Sequence, residues 1–246
     1  MQEWQTGKII DIVQAAPSTK RFFIEVPTTT NFNFEPGQFV TLDLPIHEQK
    51  NKRWRSYSIA SNPNGSNVFE LVIVLLEGGA GTTYLFNEVS IGSELTLRGP
   101  VGKFTLPETI EKDLYFICTG TGIAPFRSMI KHIQLHNIPH QNIYLVFGCR
   151  TINDCLYKDE FLELQQTVSN FNYIPCLSRE ENIFEFAKKG YVHNAYTEMV
   201  AANKIGDENK PASFYLCGWK NMIDEAKQKI VDLGFDKKAI HLELYG

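Results

Sequence analysis

The chain has 246 residues, of which 43% are hydrophobic and 21% are charged, and its formal net charge is -4. These values are ordinary for a globular protein of one or two domains, and they exclude a disordered chain, a collagen-like repeat and a coiled coil. The slight acidity gives no reason to expect a nucleic acid as a partner.

Up to about residue 106, the chain reads as short strands separated by turn residues. Pro36-Gly37 and the run Asn-Pro-Asn-Gly at 62–65 are typical of these breaks. Strands are predicted over residues 7–13, 21–26, 38–44, 55–60, 68–75 and 94–98, and one helix is predicted over 82–89. Many short strands with such breaks indicate an antiparallel barrel or sandwich.

From about residue 112 onward, strands and helices alternate. Strands are predicted over residues 114–119, 142–147, 172–177, 214–217 and 239–244, and helices over 125–136, 158–168 and 221–233. This alternation indicates a parallel sheet with crossover helices. With the polar junction at 107–113, it predicts a β-barrel domain over residues 1–107 and an α/β nucleotide-binding domain over 108–246.

The five cysteines are an odd number and contain no Cys-x-x-Cys pair. This disfavours a disulfide framework, a cysteine-ligated zinc site and an iron–sulfur cluster, so no metal site is expected. Most of the thiols are expected to be small buried hydrophobes. The chain has no signal-peptide pattern and no apolar run of about 20 residues, so we expect a cytoplasmic protein without a membrane partner.

Two glycine-rich turns resemble phosphate-binding turns. Gly120-Thr121-Gly122 follows a predicted strand and precedes a helix, where backbone amides can approach a pyrophosphate. In the first half, Gly81-Thr82-Thr83 lies in a similar turn, and Thr82 is the predicted N-cap. Each turn alone is equally consistent with an ordinary entry into a helix.

The strand Arg55-Ser56-Tyr57-Ser58 is the most informative stretch. Alternation along a strand places Arg55 and Tyr57 on one face. An arginine can bind a pyrophosphate in a bidentate manner, and a tyrosine offers a flat face to a ring. The alternative is a strand with an exposed arginine and a core tyrosine.

Taken in chain order, the segments RSYSIAS, GGAGTTYL, GPVGKF, GTGIAPFRS, FGCR, LCG and HLELYG resemble the motifs of the ferredoxin–NADP⁺ reductase family. The resemblance covers roughly residues 8–246. It implies a six-stranded antiparallel barrel that binds FAD, followed by a Rossmann-like parallel-sheet domain that binds NADP(H).

By this resemblance, Arg55 would face the FAD pyrophosphate and Tyr57 would pack on the isoalloxazine ring. Val74 stands where many members have a lysine. The implied FAD-binding residues are Arg55, Ser56, Tyr57, Ser58, Ile73, Val74, Gly81, Thr82, Thr83, Thr121 and Tyr245.

The second domain would hold the nicotinamide nucleotide. Ser178-Arg179 resembles a grip on the 2′-phosphate, Tyr191 would stack on adenine, and Lys189 would add charge, so NADPH is preferred over NADH. The alternative is a solvated basic loop. The implied residues are Gly120, Thr121, Gly122, Pro125, Gly148, Cys149, Arg150, Ser178, Arg179, Lys189, Tyr191, Cys217 and Gly218.

Four residues are implied at the reacting centre. Ser58 and Glu243 would relay a proton near flavin N5, and Cys217 would lie near nicotinamide C4. Tyr245 would stack on the flavin and gate access of the nicotinamide, and Gly246 departs from the plant-type ending. Alternatively, Cys217 is a buried core cysteine and Tyr245 is a frayed end.

The resemblance implies hydride transfer between NADPH and FAD, with single electrons exchanged with ferredoxin or flavodoxin. Because no iron–sulfur cluster is expected in the chain, the electrons would leave to a separate molecule. Lys50, Lys52, Arg53 and Arg55 form a basic cluster that could dock an acidic carrier or stand as a solvated loop. Three alternatives stay open: the reductase component of a multicomponent oxygenase, a flavin or ferric-chelate reductase, and a non-enzymatic flavin-binding electron-transfer subunit.

Overall fold

The computed structural model describes residues 3–245. They form two compact units. The first contains the described residues through Leu106 together with Ala124–His136, and the second contains Pro107–Ile123 and the described residues from Asn137 onward.

The first unit is a six-stranded antiparallel barrel. Its strands are β1 (Gln5–Ala16), β2 (Thr19–Glu25), β3 (Phe39–Asp43), β4 (Trp54–Ser58), β5 (Val68–Val74) and β6 (Glu94–Val101). They pair in the order β4-β3-β6-β1-β2-β5. A bridge between Ile59 and Leu71 joins the two edge strands and closes the barrel. Apolar side chains at alternate positions, such as Phe22 and Ile24 or Leu95 and Leu97, fill the interior.

Two helices belong to the first unit: α1 (Ala80–Asn87) and α2 (Ala124–His136). α2 follows the first strand of the second sheet in the chain but packs with the barrel. Its buried Arg127 donates from Nη1 to the carbonyl oxygen of Ala60 (2.9 Å) and to Glu70 Oε2 (3.0 Å). Glu70 also accepts from Arg21 Nε at 2.6 Å, so this buried carboxylate is paired twice.

The second unit is built on a six-stranded parallel sheet. Its strands are β7 (Asp113–Thr119), β8 (Ile143–Cys149), β9 (Phe171–Leu177), β10 (Lys188–Lys189), β13 (Ala212–Trp219) and β14 (Ile240–Tyr245), and a small hairpin of β11 (Lys204–Ile205) and β12 (Glu208–Asn209) lies outside it. The order is β10-β9-β8-β7-β13-β14. From β7, the strands follow one another outward through β8 and β9 to β10. The next strand of this sheet along the chain, β13, lies on the opposite side of β7. The boundary between β7 and β13 is therefore the switch point at which such sheets bind ligands.

Helices cover both faces of the parallel sheet. α4 (Val192–Ala202) and α5 (Lys220–Asp232) share one core with Ile117 and Leu216. α3 (Lys158–Thr167) packs through Phe161 against Tyr173 of β9, with ring centroids 5.2 Å apart. Because neighbouring strand residues point to opposite faces, α3 lies across the sheet from α4 and α5. The doubly covered parallel sheet confirms the predicted fold class.

The elements differ from the sequence-based predictions at three places. The helix α1 begins at Ala80 with Gly79 as its N-cap, so Thr82 is not the cap. The strand predicted over residues 68–75 is one residue too long, since β5 ends at Val74, and Leu75 and Leu76 are exposed. The helix α4 was not predicted at all. Within residues 3–245, no helix is long and apolar enough to cross a membrane.

Candidate functional site

The first unit places an arginine beside the start of a helix. Arg55 lies on β4, where it is fixed by hydrogen bonds from Nη1 to the carbonyl oxygens of Lys52 (3.0 Å) and Trp54 (2.8 Å). Gly81, in the first turn of α1, lies directly against the Arg55 side chain. Gly79 caps α1 without a side-chain hydrogen bond, which leaves the first-turn amides to an outside acceptor. An arginine next to unpaired helical amides is a suitable cradle for a pyrophosphate.

The two threonines of this turn have different surroundings. The Thr82 hydroxyl donates to the carbonyl oxygen of Gly79 (3.1 Å) and accepts from the Leu76 amide (3.0 Å), so it shapes the turn. Thr83 is exposed, and its amide donates to Gly79 O at 2.9 Å. The helix start, with the predicted residues Gly81, Thr82 and Thr83, therefore offers a ligand mainly backbone amides and the exposed Thr83 hydroxyl.

The other predicted flavin residues line β4 and β5. Tyr57 packs against the barrel core, and burial raises its pKa to about 12, so its hydroxyl is neutral. Ser56 is exposed on the opposite face, where its hydroxyl lies 3.0 Å from that of Thr41. Ser58 and Ile73 are buried, and Val74 is half-buried at the end of β5.

Leu75 and Leu76 are residues that the sequence interpretation missed. They are 40% and 44% exposed between the end of β5 and the start of α1, next to the arginine-lined helix start. Exposed apolar side chains beside a polar cradle are suited to a ring system. The signal in the sequence was an apolar run that continues beyond the length of the strand.

In the second unit, the glycines of two strand ends meet at the switch point. A Cβ atom at Gly122 would stand 2.3 Å from the carbonyl oxygen of Cys217, and one at Gly218 would stand 2.6 Å from Thr119 Oγ1. Gly218 also has a φ of +149°, which favours glycine. Thr121 lies half-exposed in the 3₁₀ turn Gly120–Ile123, so this loop runs directly beside the end of β13.

The side-chain hydroxyl of Thr119 also lies at this position. Among residues 3–245, its Oγ1 is buried and has no hydrogen-bond partner. Such a group costs about 1–3 kcal/mol, and a ligand that supplies a hydrogen bond removes that cost. Sequence interpretation missed Thr119 because it reads as the last residue of an apolar strand.

Three of the predicted reacting-centre residues lie together at the end of β13 and β14. Cys217 pairs in register with Glu243. The Cys217 pKa is well above its usual value because the thiol is buried and because Glu243 is close, while a hydrogen bond from Tyr245 opposes the shift. The thiol is therefore neutral, and Tyr245 reaches across to it. Gly246 lies outside the described residues.

The predicted phosphate grip is brought together at the ends of β8 and β9. Ser178 donates from its amide (3.1 Å) and its hydroxyl (3.2 Å) to the carbonyl oxygen of Cys149, and the Arg179 amide donates to the carbonyl oxygen of Arg150 at 2.8 Å. Both guanidinium groups are exposed, and neither forms an ion pair within residues 3–245. Two arginines without an ion pair at adjacent strand ends are suited to an anion.

The other predicted nucleotide residues lie on several elements. Lys189 is exposed on β10, and Tyr191 is 71% exposed at the start of α4. Pro125 is buried in the first turn of α2. Gly148 is enclosed, because a Cβ atom there would stand 2.9 Å from Val192 Cγ1, so it serves close packing of helix on sheet.

Comparison with known proteins agrees with this geometry. The family model of the oxidoreductase FAD-binding domain matches residues 6–106, and that of the oxidoreductase NAD-binding domain matches residues 116–228. The ferredoxin--NADP reductase B of Sorangium cellulosum is 31% identical over 241 residues, which are 97% of this chain and 96% of that protein. This chain belongs to the ferredoxin–NADP⁺ reductase family.

Longer relatives are also similar to it. The phenol hydroxylase P5 protein of Acinetobacter pittii is 28% identical over 246 residues, but the chain spans only 66% of its length. The crystal structure of the Amycolatopsis cytochrome P450 reductase GcoB superposes with a TM-score of 0.85 at 24% identity, covering 99% of this chain and 71% of that one. The fold is therefore that of a reductase module that also occurs inside longer proteins.

As a member of this family of FAD- and NAD-binding oxidoreductases, the chain carries residues that fit both groups. The bare helix start beside Arg55 suits the FAD pyrophosphate. The glycine-lined switch point with the orphan Thr119 hydroxyl suits a nicotinamide carrying an amide. The exposed arginines at the ends of β8 and β9 suit its phosphates.

Proposed function

We propose that this chain transfers a hydride between NADPH and FAD and exchanges single electrons with a separate carrier protein. The observation that supports the proposal is that each unit has its own arginine group suited to an anion, Arg55 beside the start of α1 in one unit and Arg150 with Arg179 in the other. A protein that binds two dinucleotides needs two such sites. FAD, when bound, supplies the redox chemistry by taking a hydride and releasing electrons singly.

The chain's own residues bind and orient in this proposal. Arg55 and the α1 amides neutralise the FAD pyrophosphate, and Tyr57 offers its ring face. The neutral, buried thiol of Cys217 packs against the nicotinamide and takes no part in proton transfer. We assign proton handling to the Ser58 hydroxyl and the Glu243 carboxylate, and control of nicotinamide access to Tyr245.

We propose NADPH as the preferred nucleotide because the strand-end arginines present charge to a 2′-phosphate. Arg179→Ala is expected to lower kcat/KM for NADPH by about ten- to hundredfold, the loss of one charge-assisted hydrogen bond, while kcat/KM for NADH stays constant. Lys188→Ala is the matched control, because Lys188 is already paired with Glu198 at 2.5 Å. Equal losses with both nucleotides would contradict the assignment.

We propose an acidic electron carrier as the partner, of the ferredoxin, flavodoxin or oxygenase-component class. Lys50 and Lys52 are exposed beside β4, whereas Arg53 is paired with Asp43 at 2.7 Å and Arg55 belongs to the cradle. The available charge of this cluster is therefore that of the two lysines. The similarity to a ferredoxin--NADP reductase supports the ferredoxin class, and the similarity to the P5 protein of a phenol hydroxylase supports the oxygenase-component class.

The partner is tested with a two-step assay. The double variant Lys50→Glu/Lys52→Glu is expected to lower the rate at which ferredoxin or flavodoxin is reduced, and to make that rate less dependent on salt concentration. The rate at which NADPH reduces bound FAD is expected to stay unchanged. Lys237→Glu/Lys238→Glu, on exposed lysines of the second unit, is the control. Equal carrier reduction by both double variants would reject this docking surface. If the chain reduces free flavin or ferric chelates but no carrier protein, the carrier proposal is wrong and the protein is a flavin or ferric-chelate reductase.

A further inference from the structure

Two histidines lie side by side near the end of α2. His132 and His136 are four residues apart, so they share one face of the helix. The centroids of their imidazole rings are 4.4 Å apart. His136 is exposed in the last turn of the helix, and His132 is half-buried. Neither residue belongs to the candidate flavin or nucleotide groups described above.

One ring nitrogen of this pair is buried without a partner. Within residues 3–245, His132 Nδ1 has no hydrogen-bond donor or acceptor in reach. A neutral imidazole has one N–H group and one nitrogen lone pair, and each needs a partner when it is buried. Contact between the two rings does not supply one. Packing of the rings on each other therefore leaves the position of His132 Nδ1 unexplained.

The surroundings of the pair favour a bound cation over a bound proton. Burial and the neighbouring His136 lower the pKa of His132 from 6.5, so its ring is neutral at pH 7. A histidine must be neutral to bind a metal ion. The pair also lies at the carboxyl end of α2, where the helix dipole places a partial negative charge that attracts cations.

The geometry of the pair suits two ligands of one ion. Metal–nitrogen bonds of about 2.0–2.1 Å place the centres of two ligating imidazoles roughly 4.5–5 Å apart, which is close to the distance found here. The helix that carries the rings is fixed, because the buried Arg127 on α2 is bonded to the carbonyl oxygen of Ala60 and to Glu70. The exposed His136 ring can turn about its own side-chain bonds to admit an ion.

We propose that His132 and His136 bind one divalent transition-metal ion of the Zn²⁺, Ni²⁺ or Cu²⁺ class, through His132 Nδ1 and one ring nitrogen of His136. Imidazole ligands select these ions over Mg²⁺ and Ca²⁺, which prefer oxygen. Among residues 3–245, no three histidine, cysteine or acidic side chains are grouped as metal ligands, so water completes the coordination. The site contains no cysteine, and it is independent of the proposed function.

The test titrates the purified full-length chain with Ni²⁺ in a calorimeter. We expect one ion per chain and no binding of Mg²⁺. His136→Ala and His132→Asn should each lower the affinity by at least about tenfold, since even the loss of a group that only supports a metal ligand costs about ten- to hundredfold. His140→Ala is the matched control, because His140 Nδ1 already lies 2.6 Å from the carbonyl oxygen of Gln141.

Thermal unfolding gives a second readout that is independent of the heat of binding. Saturating Ni²⁺ should raise the unfolding midpoint of the wild type and of His140→Ala, because the ion binds the folded chain, and should leave that of His136→Ala unchanged. Since His136 is exposed, circular dichroism without metal should be the same for this variant and the wild type. Equally tight binding in the wild type and in both site variants would overturn the proposal. Absence of binding of Ni²⁺ and Zn²⁺ at millimolar concentration would overturn it as well.

Discussion

Gly81 lies so close to Arg55 that a Cβ atom there would stand 3.0 Å from Arg55 Cγ and 3.2 Å from its Nε. The missing side chain lets the arginine stem lie against the first turn of α1. The guanidinium is at the same time held by two carbonyl oxygens of its own loop. Arg55 is therefore fixed in place before any ligand binds, which lowers the entropic cost of binding a pyrophosphate.

Arg55→Ala is expected to weaken FAD binding by about ten- to hundredfold, because a charge-assisted contact to the pyrophosphate is lost. Gly81→Val should act in the same direction by pushing the arginine stem away. Equilibrium dialysis of FAD against the apoprotein measures both. Lys8→Ala removes an exposed positive charge of β1 and is the control. FAD affinity that falls equally in the control would point to a general charge effect.

Thr119→Val removes the buried hydroxyl that has no partner among the described residues. The free energy of unfolding of the chain without nucleotide is expected to rise by about 1 kcal/mol, because the cost of the unsatisfied group disappears. Reduction of bound FAD by NADPH is expected to slow, because the nicotinamide loses a hydrogen-bonding partner. Urea unfolding and rapid-mixing kinetics measure the two effects. A variant that is less stable would show that the hydroxyl is already satisfied.

Tyr245→Ser is expected to bind NADP⁺ more tightly and to turn over more slowly, if the ring controls access of the nicotinamide. Tyr245→Phe loses the hydrogen bond to Cys217 but keeps the ring. Because the ring is the part proposed to control access, this variant should behave like the wild type in both measurements. Steady-state kinetics and NADP⁺ titration compare the two variants. Unchanged KM and kcat in the serine variant would refute the role of the ring.

His193 makes the stability depend on pH. It is 6% exposed, and burial lowers its pKa from 6.5 despite the nearby Glu225. The unfolded chain therefore binds the proton more readily, so the free energy of unfolding should fall as the pH drops from about 7 to about 5. His193→Gln should flatten this dependence, as urea unfolding across that range will measure. His47→Gln, at an exposed loop position, should leave the curve unchanged.

Much of the fold could be predicted because its signals are local. The change from short punctuated strands to alternating strands and helices indicates the barrel and the parallel sheet, and β7 and β9 lie within a residue of their predicted bounds. The order of strands is not local, so closure through Ile59 and Leu71 could not be read. The helix α4 had a readable signal in the spacing of Val192, Tyr196 and Val200, which the sequence interpretation did not use.

The candidate site, like the fold, could be predicted only in part from the sequence. Residue types and spacing suffice to nominate Arg55, Gly81 and Arg179. They do not say that Gly79 takes the cap that Thr82 was expected to fill, since that depends on the local path of the turn.

The most direct measurement is the anaerobic reduction of bound FAD by NADPH, followed by rapid mixing. The purified chain, loaded with FAD, is expected to lose its yellow flavin absorbance within the dead time or in a single fast phase with NADPH, and more slowly with NADH. Subsequent mixing with an oxidised carrier should restore the colour. A flavin that keeps its absorbance with both nucleotides would contradict the account.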